Sequence, residues 1–482
     1  MIGSFLNVET KHIKEENKVY GIIVLAVYAA LMVGATLLFS RKATSKENFH
    51  VADRNIGTVI SAFSIASTWI WAPSLFTSAE KAYGGLPGFF WFLVPNVLCL
   101  LFFIPFAKRM RSQFPQGITL SGYMHQTYKS EKVKGVYMAQ LGLLSVLSTA
   151  VQLLAGSKIL SLLTGLPFWL LTIILAVVAF SYSQFSGIKA SVITDVVQYG
   201  LILAGCAIIV PWSLREHGGV ATLLHGLSGS TGQNLSLFGQ SGRDIFLSFG
   251  LPTTIGLISG PFGDQSFWQR VFSIRKNSIG KGFGIGAILF ALVPLSMGTV
   301  GFLAAGMGFK AQDTGMVNFE FIKQYFPAWV MIPFLFMIVS GLLSTVDSNL
   351  CSIASLTTDR RKEETGEQNI RTSKITMALL LLVGIAIANI PGLTVTHLFM
   401  FYGTVRASTL FTTILTLNGK KLTPNSVFVG VLCSMAICVP VFAMGSILNV
   451  AVLKTVGSLL AALLSGTVAM VLTKREGAKL HA

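Results

Sequence analysis

The sequence has little charge and few cysteines or histidines, and each shortage excludes a class of protein. Charged residues are 11% of the 482 residues, whereas soluble domains carry about 25%. This shortage excludes a soluble enzyme and a disordered chain. The five cysteines lie in apolar stretches without a CxxC pair, which excludes a disulfide framework and a zinc site. The seven histidines form no HExxH motif, so we expect no intramembrane enzyme.

Apolar residues, in contrast, make up 52% of the chain, and the mean hydropathy is +0.69. They occur in long runs, each of which can cross a bilayer if it forms a helix. Backbone polar groups must be paired inside hydrocarbon, so each run predicts a helix. The sequence therefore predicts an all-α polytopic membrane protein with about 13 transmembrane helices, at 19–40, 56–84, 86–109, 134–163, 167–184, 188–213, 244–272, 281–306, 329–358, 373–392, 394–417, 425–447 and 451–473.

The basic residues are concentrated in alternate loops. The other loop set, including 1–18, 214–243 and 307–328, holds few of them. Loops rich in lysine and arginine face the cytoplasm, so we predict a cell (plasma or inner) membrane protein with residues 1–18 outside. The net charge of +17 then reflects topology and not nucleic-acid binding. Of the 36 basic residues, 25 lie in the segments 41–55, 108–134, 185–190, 270–281, 359–374, 418–421 and the predicted cytoplasmic tail 474–482.

The spans after the first helix divide into two sets of five. Their starting residues are separated by a nearly constant offset from one set to the other. Because five is odd, the two units have opposite orientations, which is common in secondary transporters. We therefore predict an extra first helix, an inverted repeat of two units and two C-terminal helices, at 19–40, 56–213, 244–417 and 425–473.

The leading helix of each predicted repeat contains residues that interrupt helices. Ser61–Ser74 combines hydroxyl side chains with Pro73, and Gly250–Gln265 contains Pro252 and Pro261. Such interruptions free backbone carbonyls and half-helix ends for ions and solutes. A kink in an ordinary packed helix is the alternative for either segment alone. Interrupted segments at matching positions of two repeats indicate a transport site.

The span 329–358 carries serine at every fourth position, at Ser340, Ser344, Ser348 and Ser352. This spacing puts the hydroxyls on one face of a helix, which suits close packing or oxygen ligands for a hard cation. Ionisable residues at membrane depth are costly and indicate function. For the basic members, an internal ion pair with one of the acidic members is the alternative to a functional role. The set is Asp195, Asp264, Asp347, Lys158 and Arg406.

Three strings resemble signatures of the sodium:solute symporter family: Ser186–Gln198, Asp264–Arg270, and Leu343–Ser348 with its continuation to Asp359. The resemblance covers residues 19–473. It implies a LeuT-type fold, in which an inverted repeat of five plus five helices follows one added helix. It also implies secondary active transport of a solute into the cell with sodium as the co-transported ion.

The resemblance implies particular sodium ligands. The first site consists of the backbone carbonyls of Ala66, Trp69 and Gly341 and the hydroxyls of Ser344 and Thr345. Some family members bind a second sodium, and the corresponding positions here are Asp195, Asp347 and Ser348. A proton-coupled symporter of the same fold is the alternative, with Asp195 or Asp264 as the proton-binding group.

The class of solute is narrowed by a difference in sequence from the sugar-carrying relatives. Those relatives have Asn-Gln-Tyr where this chain has Asp264-Gln265-Ser266, which argues against a sugar. The strings 67–72, 83–85 and 88–91 resemble the urea-transporting branch, although plain packing or an interfacial belt would also explain their aromatics. We expect urea or a related small amide or amine, bound by Thr68, Trp71, Phe90, Asp264, Gln265 and Trp268.

A membrane solute sensor is the alternative from another class of protein. Some relatives join this core to a signalling domain, but only about ten residues follow the last predicted helix here, too few for a domain. We therefore expect a transporter whose partners are a small-molecule solute, sodium and the lipid bilayer. We expect no nucleic acid and no obligate protein partner.

Overall fold

The structure is a computed structural model that describes residues 2–39, 43, 45–358 and 365–480. Within these residues, β-structure is limited to one parallel bridge between Ile56 and Ile274. The predicted end of the first span at residue 40 lies outside the described residues. So do Asp359 and the last two residues of the predicted tail, 481–482.

Helices account for nearly all of the regular structure in both halves of the described chain. The helices before residue 246 are α1 (Ile2–Phe39), α2 (Lys46–Val51), α3 (Thr58–Trp69), α4 (Ala72–Leu75), α5 (Thr77–Tyr83), α6 (Leu86–Gln113), α7 (Leu120–Tyr128), α8 (Glu131–Thr164), α9 (Phe168–Ser186), α10 (Ile188–Glu216), α11 (Gly219–Gly226) and α12 (Gln240–Ile245). A 3-10 turn at Ala52–Arg54 joins α2 to α3, and a π-helical turn at Phe246–Gly250 follows α12.

The second half continues from that π-helical turn. Its helices are α13 (Leu251–Ile258), α14 (Gly260–Gly263), α15 (Gln265–Ser273), α16 (Ile279–Gly306), α17 (Val317–Tyr325), α18 (Met331–Thr357), α19 (Gly366–Ala388), α20 (Val395–Ala407), α21 (Leu410–Leu417), α22 (Pro424–Cys433), α23 (Val439–Ile447) and α24 (Ala451–Leu480). The short turns between them are 3-10 at Lys276–Ser278, Thr314–Met316 and Ala328–Val330, and π-helical at Ser434–Cys438.

In the described residues, ten helices are long and apolar enough to cross a membrane. The bent pair formed by Thr58–Trp69 and Ala72–Tyr83 makes eleven when it is counted as one span. The all-α membrane class predicted from the sequence is therefore confirmed. Two further predicted spans, 244–272 and 394–417, are each divided into shorter helices in the structure. The count of thirteen crossings stays a prediction.

The first interrupted segment is a sharp break between α3 and α4. Ile70 and Trp71 have extended backbone conformations, and the two arms meet at 86°. Proline explains the position of the break, because a helix that continued through Pro73 would bring its ring against the carbonyl of Trp69. That carbonyl leaves the helical ladder and accepts a hydrogen bond from the hydroxyl of Ser74 at 3.3 Å.

The second interrupted segment is divided at two residues. Ser259 separates α13 from α14, and Asp264, which is extended, separates α14 from α15. The carboxylate of Asp264 accepts from the backbone N–H of Ser266 and so caps α15. Both leading segments that the sequence predicts to be interrupted are therefore interrupted in the structure.

Helices α10, α16 and α18 pack around the first break. Helix α16 contacts both arms, α3 and α5, and it carries glycine at the closest approach. A Cβ atom on Gly301 would lie 2.2 Å from the backbone carbonyl oxygen of Ala79 in α5. Backbone does not move aside easily, so only glycine allows α16 to support this arm at that distance.

We predict that Gly301→Ala lowers the apparent melting temperature of the purified protein in detergent. Overpacking of this kind destabilises a fold by about 1–3 kcal/mol. Gly284→Ala, in the same helix, is the matched control, because a Cβ atom there would meet nothing within 4 Å. Differential scanning fluorimetry measures both variants. Equal melting temperatures for the two variants would contradict the close approach of α16 to α5.

Candidate functional site

The centre of the site is a buried ion pair between α10 and α15. The guanidinium of Arg270 donates from Nη2 to the Asp195 carboxylate at 2.9 Å, and the two side chains are 1% and 0% exposed. Arg270 also donates to the hydroxyls of Ser64 in α3 and Ser348 in α18, at 3.0 and 2.8 Å. Its fourth contact is the backbone carbonyl of Ser266 at 3.2 Å. One arginine therefore joins α15 to three other helices.

Asp195 connects this ion pair to the predicted sodium residues. Its carboxylate accepts from the hydroxyls of Ser64 at 2.5 Å and Ser344 at 2.6 Å. The Ser344 hydroxyl in turn accepts from Ser67 in α3 at 2.8 Å. A hydroxyl has one hydrogen and two lone pairs, so Ser344 keeps one lone pair for a further contact. Asp195 thereby sets the direction in which Ser344 presents its oxygen.

The structure brings the five predicted sodium residues together at the break between α3 and α4. Helix α18 approaches this break at Gly341, where a Cβ atom would lie 3.5 Å from the carbonyl oxygen of Ile70. One turn farther along α18, the Thr345 hydroxyl lies 3.3 Å from the Gly341 carbonyl oxygen and 3.4 Å from that of Thr68. The carbonyl of Ala66 accepts from the backbone N–H of Ile70 at 3.0 Å. Hydroxyl and carbonyl oxygens are suitable ligands for a hard cation.

Asp347 is the second carboxylate of this region, and hydroxyl groups surround it. Its side chain is fully buried and accepts from Ser191 at 2.7 Å and from Thr194 at 3.3 Å, both in α10. Ser348 lies 3.3 Å from the same carboxylate. Arg270 therefore contacts Asp195 but makes no direct ion pair with Asp347. The two aspartates and the single arginine leave this region with one excess negative charge when both carboxylates are ionised.

A small cavity of about 230 Å³ lies beside the predicted sodium residues. One wall is a second ion pair, in which Arg406 of α20 lies 3.2 Å from Asp264. Tyr402 donates to the same carboxylate at 2.8 Å. The Arg406 guanidinium also lies over the rings of Trp69 and Trp71, at 5.1 and 5.4 Å. The lining residues are Thr68, Trp69, Trp71, Ser148, Asp264, Ser266, Phe267, Thr345, Asn349, Tyr402 and Arg406.

Three buried hydrogen-bond donors on lining residues have no partner among the described residues. They are Nε1 of Trp71, Nδ2 of Asn349 and Nε of Arg406. The acidic group of the cavity, in contrast, already accepts from Tyr402, Arg406 and Ser266. Unpaired buried donors cost free energy, so the lining favours a ligand that offers an acceptor oxygen.

The remaining predicted solute residues lie away from this cavity. Phe90 packs edge-to-face against Trp91, with ring centroids 5.1 Å apart. Gln265 binds the backbone of the connection before α7, donating to the Ile118 carbonyl at 2.9 Å. Trp268 donates from Nε1 to the Phe262 carbonyl at 2.8 Å. Of the six residues predicted from the sequence, only Thr68, Trp71 and Asp264 line the cavity.

Of the two basic residues predicted at membrane depth, one forms the internal ion pair. Arg406 pairs with Asp264. The internal pair is wrong for Lys158, because its ammonium group lies 2.9 Å from Asp313, in the connection before α17. Both members of that pair are about half exposed, at 48% and 49%. They line a separate open cavity of about 1360 Å³ on the predicted outer side.

The residues of the site that sequence reasoning missed include Arg270, Tyr402 and Asn349. Arg270 counted as one of the basic residues of the predicted loop 270–281, but its side chain is buried. Its only sequence signal is its place at the end of the Asp264–Arg270 string. Tyr402 and Asn349 lie on helices whose pattern does not distinguish them from packing residues.

Comparisons with known proteins agree with this fold. The profile of the sodium:solute symporter family matches residues 49–434. The structure of a Na+-coupled sialic acid symporter, in a substrate-bound outward-open state, superposes with a TM-score of 0.78. It is 16% identical in sequence, and the alignment covers 94% of this chain and 97% of that chain. At this identity the similarity shows the fold, which confirms the predicted LeuT-type architecture.

The curated relatives include several that are named as urea transporters. A probable urea active transporter of Schizosaccharomyces pombe is 27% identical over 60% of this chain and 46% of its own length. A urea-proton symporter of Oryza sativa is 22% identical over 86% of this chain and 63% of its own length. The chain thus spans between about half and two thirds of the length of these two relatives.

We predict that substitutions of Asp264 and Arg406 have strongly non-additive effects on the stability of the protein. Asp264→Asn leaves a buried guanidinium without its carboxylate, and Arg406→Gln leaves the carboxylate without its cation. Each single change should destabilise the protein by about 3–5 kcal/mol, and the double variant should lose much less than their sum. Lys158→Gln breaks a half-exposed pair, for which about 0–1 kcal/mol is expected. Melting temperatures test this cycle, and additive losses would contradict the pairing.

Proposed function

The chain belongs to the sodium:solute symporter family, and from that membership we propose that it carries a small polar solute into the cell together with sodium. The family consists of transporters and not enzymes, and this chain is a multi-pass membrane protein. The observation that carries the proposal is that the predicted sodium site and the cavity have residues in common. Trp69 and Thr345 belong both to the predicted sodium residues and to the lining of the cavity, so ion and solute would contact the same residues.

We assign the sodium to the backbone carbonyls of Ala66, Trp69 and Gly341 and the hydroxyls of Ser344 and Thr345. Their convergence at the broken helix supports this assignment. So do the Asp195 and Asp347 carboxylates beside them, because with both ionised their charge exceeds that of Arg270 and would attract a cation. A proton-driven symporter is the second candidate, because one relative is a urea-proton symporter.

We assign the solute to the class of urea and small neutral amides. Asp264 and Arg406 neutralise each other, so a neutral solute requires no further compensating charge. A urea carbonyl oxygen would accept from the unpartnered donors of Trp71, Asn349 and Arg406.

We also propose thirteen crossings of the membrane, with the N-terminal segment outside and the C-terminal tail in the cytoplasm. The asymmetry of lysine and arginine between alternate loops supports this orientation. Three basic residues in that count, Arg111, Lys134 and Arg270, are buried in the structure. Removing them from the cytoplasmic set leaves the asymmetry large.

We predict that purified protein in proteoliposomes takes up radiolabelled urea when an inward sodium gradient is applied. Replacing sodium with choline at fixed pH should abolish the uptake, and an inward proton gradient in choline should not restore it. Ser344→Ala with Thr345→Ala should remove the sodium-dependent component, because two of the proposed ligands are lost. Uptake by this double variant at the wild-type rate would contradict the assignment of the sodium ligands.

Ser352→Ala is the matched control for that double variant. Ser352 is buried on the same serine stripe of α18 but lies outside the proposed ligand set, and its hydroxyl contacts Ser145 at 3.5 Å. We expect sodium-dependent uptake to be retained. Uptake driven equally well by a proton gradient in choline would replace the sodium proposal with the proton-coupled candidate.

We predict that Trp71→Phe raises the KM for urea about two- to tenfold, because a neutral hydrogen bond contributes about 0.5–1.5 kcal/mol. The change removes an indole N–H that has no partner among the described residues and keeps an aromatic ring in place. Trp91→Phe is the control, since its indole N–H is equally unpartnered but lies outside the cavity. A larger rise in KM for the control than for Trp71→Phe would refute the assigned solute position.

A further inference from the structure

The position that the family resemblance gives to a second sodium contains an arginine side chain. Nη2 of Arg270 lies 2.9 Å from Asp195 and 2.8 Å from the hydroxyl of Ser348. These are two of the three residues expected to bind that ion. We propose that the Arg270 guanidinium is a built-in cation that replaces the second sodium, so that the core binds one sodium ion. This inference rests on the proposed function for the identity of that one ion.

Two of the three expected ligands, Asp195 and Ser348, already form hydrogen bonds at the oxygens that would bind the ion. A carboxylate offers about four acceptor positions, and most of those of Asp195 are occupied. The Asp195 carboxylate accepts from Ser64, Ser344 and Arg270. The Ser348 hydroxyl donates to the backbone carbonyl of Ser344 at 2.7 Å and accepts from Arg270. A sodium ion bound to these oxygens would have to displace the guanidinium. Guanidinium is weakly hydrated and always charged, so it is the cation best suited to this dry position.

The charge balance of the region also favours a single ion. Counting both carboxylates as ionised, Asp195 and Asp347 contribute two negative charges and Arg270 contributes one positive charge. All three side chains are at most 1% exposed. One sodium ion at the proposed ligands makes the region neutral. A second would leave an uncompensated positive charge in a low-dielectric interior, which is strongly unfavourable.

The arrangement gives Asp195 a positioning role. Arg270 holds the carboxylate in place, and the carboxylate accepts the single hydrogen of the Ser344 hydroxyl at 2.6 Å. The free lone pair of Ser344 is thereby available to the first ion. Arg270 acts on that ion through Asp195 and Ser344, and does so from α15, which belongs to the other broken segment.

The number of sodium ions bound to the purified full-length protein tests the inference. We expect ²²Na⁺ equilibrium binding to give one ion per chain for the wild type. Arg270→Ala should bind one more ion than the wild type, because Asp195 and Ser348 regain free oxygens and lose their cation. Arg270→Lys keeps a positive charge there and should bind the wild-type number.

The outcomes separate this inference from the proposed function. Two ions bound by the wild type, or no gain in Arg270→Ala, overturns the replacement of sodium by Arg270. No ion bound by the wild type but one by Arg270→Ala overturns the sodium coupling and upholds the replacement. If Arg270→Ala does not yield folded protein, the wild-type number decides, with one ion upholding the inference and two overturning it.

Discussion

The structure depends on how a few buried charges are compensated inside an apolar protein. Asp195 is the central case, because its carboxylate has no exposed surface and binds groups from three other helices, α3, α15 and α18. An ionised carboxylate without such partners would be very costly at this depth. The ion pair with Arg270 therefore fixes the position of both broken segments relative to α18, and the candidate ion and solute positions follow from that arrangement.

The same arrangement allows binding at the proposed ion site to be coupled to binding at the proposed solute site. Thr345 lies 3.4 Å from the backbone carbonyl of Thr68 at the end of α3, and both residues line the cavity together with Trp69. Binding of one ligand fixes the positions of these residues, and the other ligand then finds them already ordered. Linkage then requires each ligand to raise the affinity of the other by the same factor. No long-range pathway is needed, because the two sets of residues overlap.

The sequence predicted those features whose physical cause is local. Pro73 interrupts α3 because of its own ring, and the spacing of Ser344 and Ser348 puts them on one face of any helix. Partners distant along the chain were not predictable in the same way. Arg270 stands at the end of an apolar run, where an arginine usually extends to the interface, and nothing local shows that Asp195 lies beside it. Lys158 likewise pairs with Asp313, which is 155 residues away.

The two buried ion pairs differ in the charge that surrounds them, and this difference distinguishes the positions proposed for the two ligands. Asp264 and Arg406 form a balanced pair beside aromatic rings, so a charged solute there would have no opposite charge left to compensate it. Asp195 and Arg270 lie close to Asp347, whose described partners are hydroxyl groups. When both carboxylates are ionised, that region has an excess negative charge that a cation can neutralise. A neutral solute and a single cation are therefore the combination that leaves neither position with uncompensated charge.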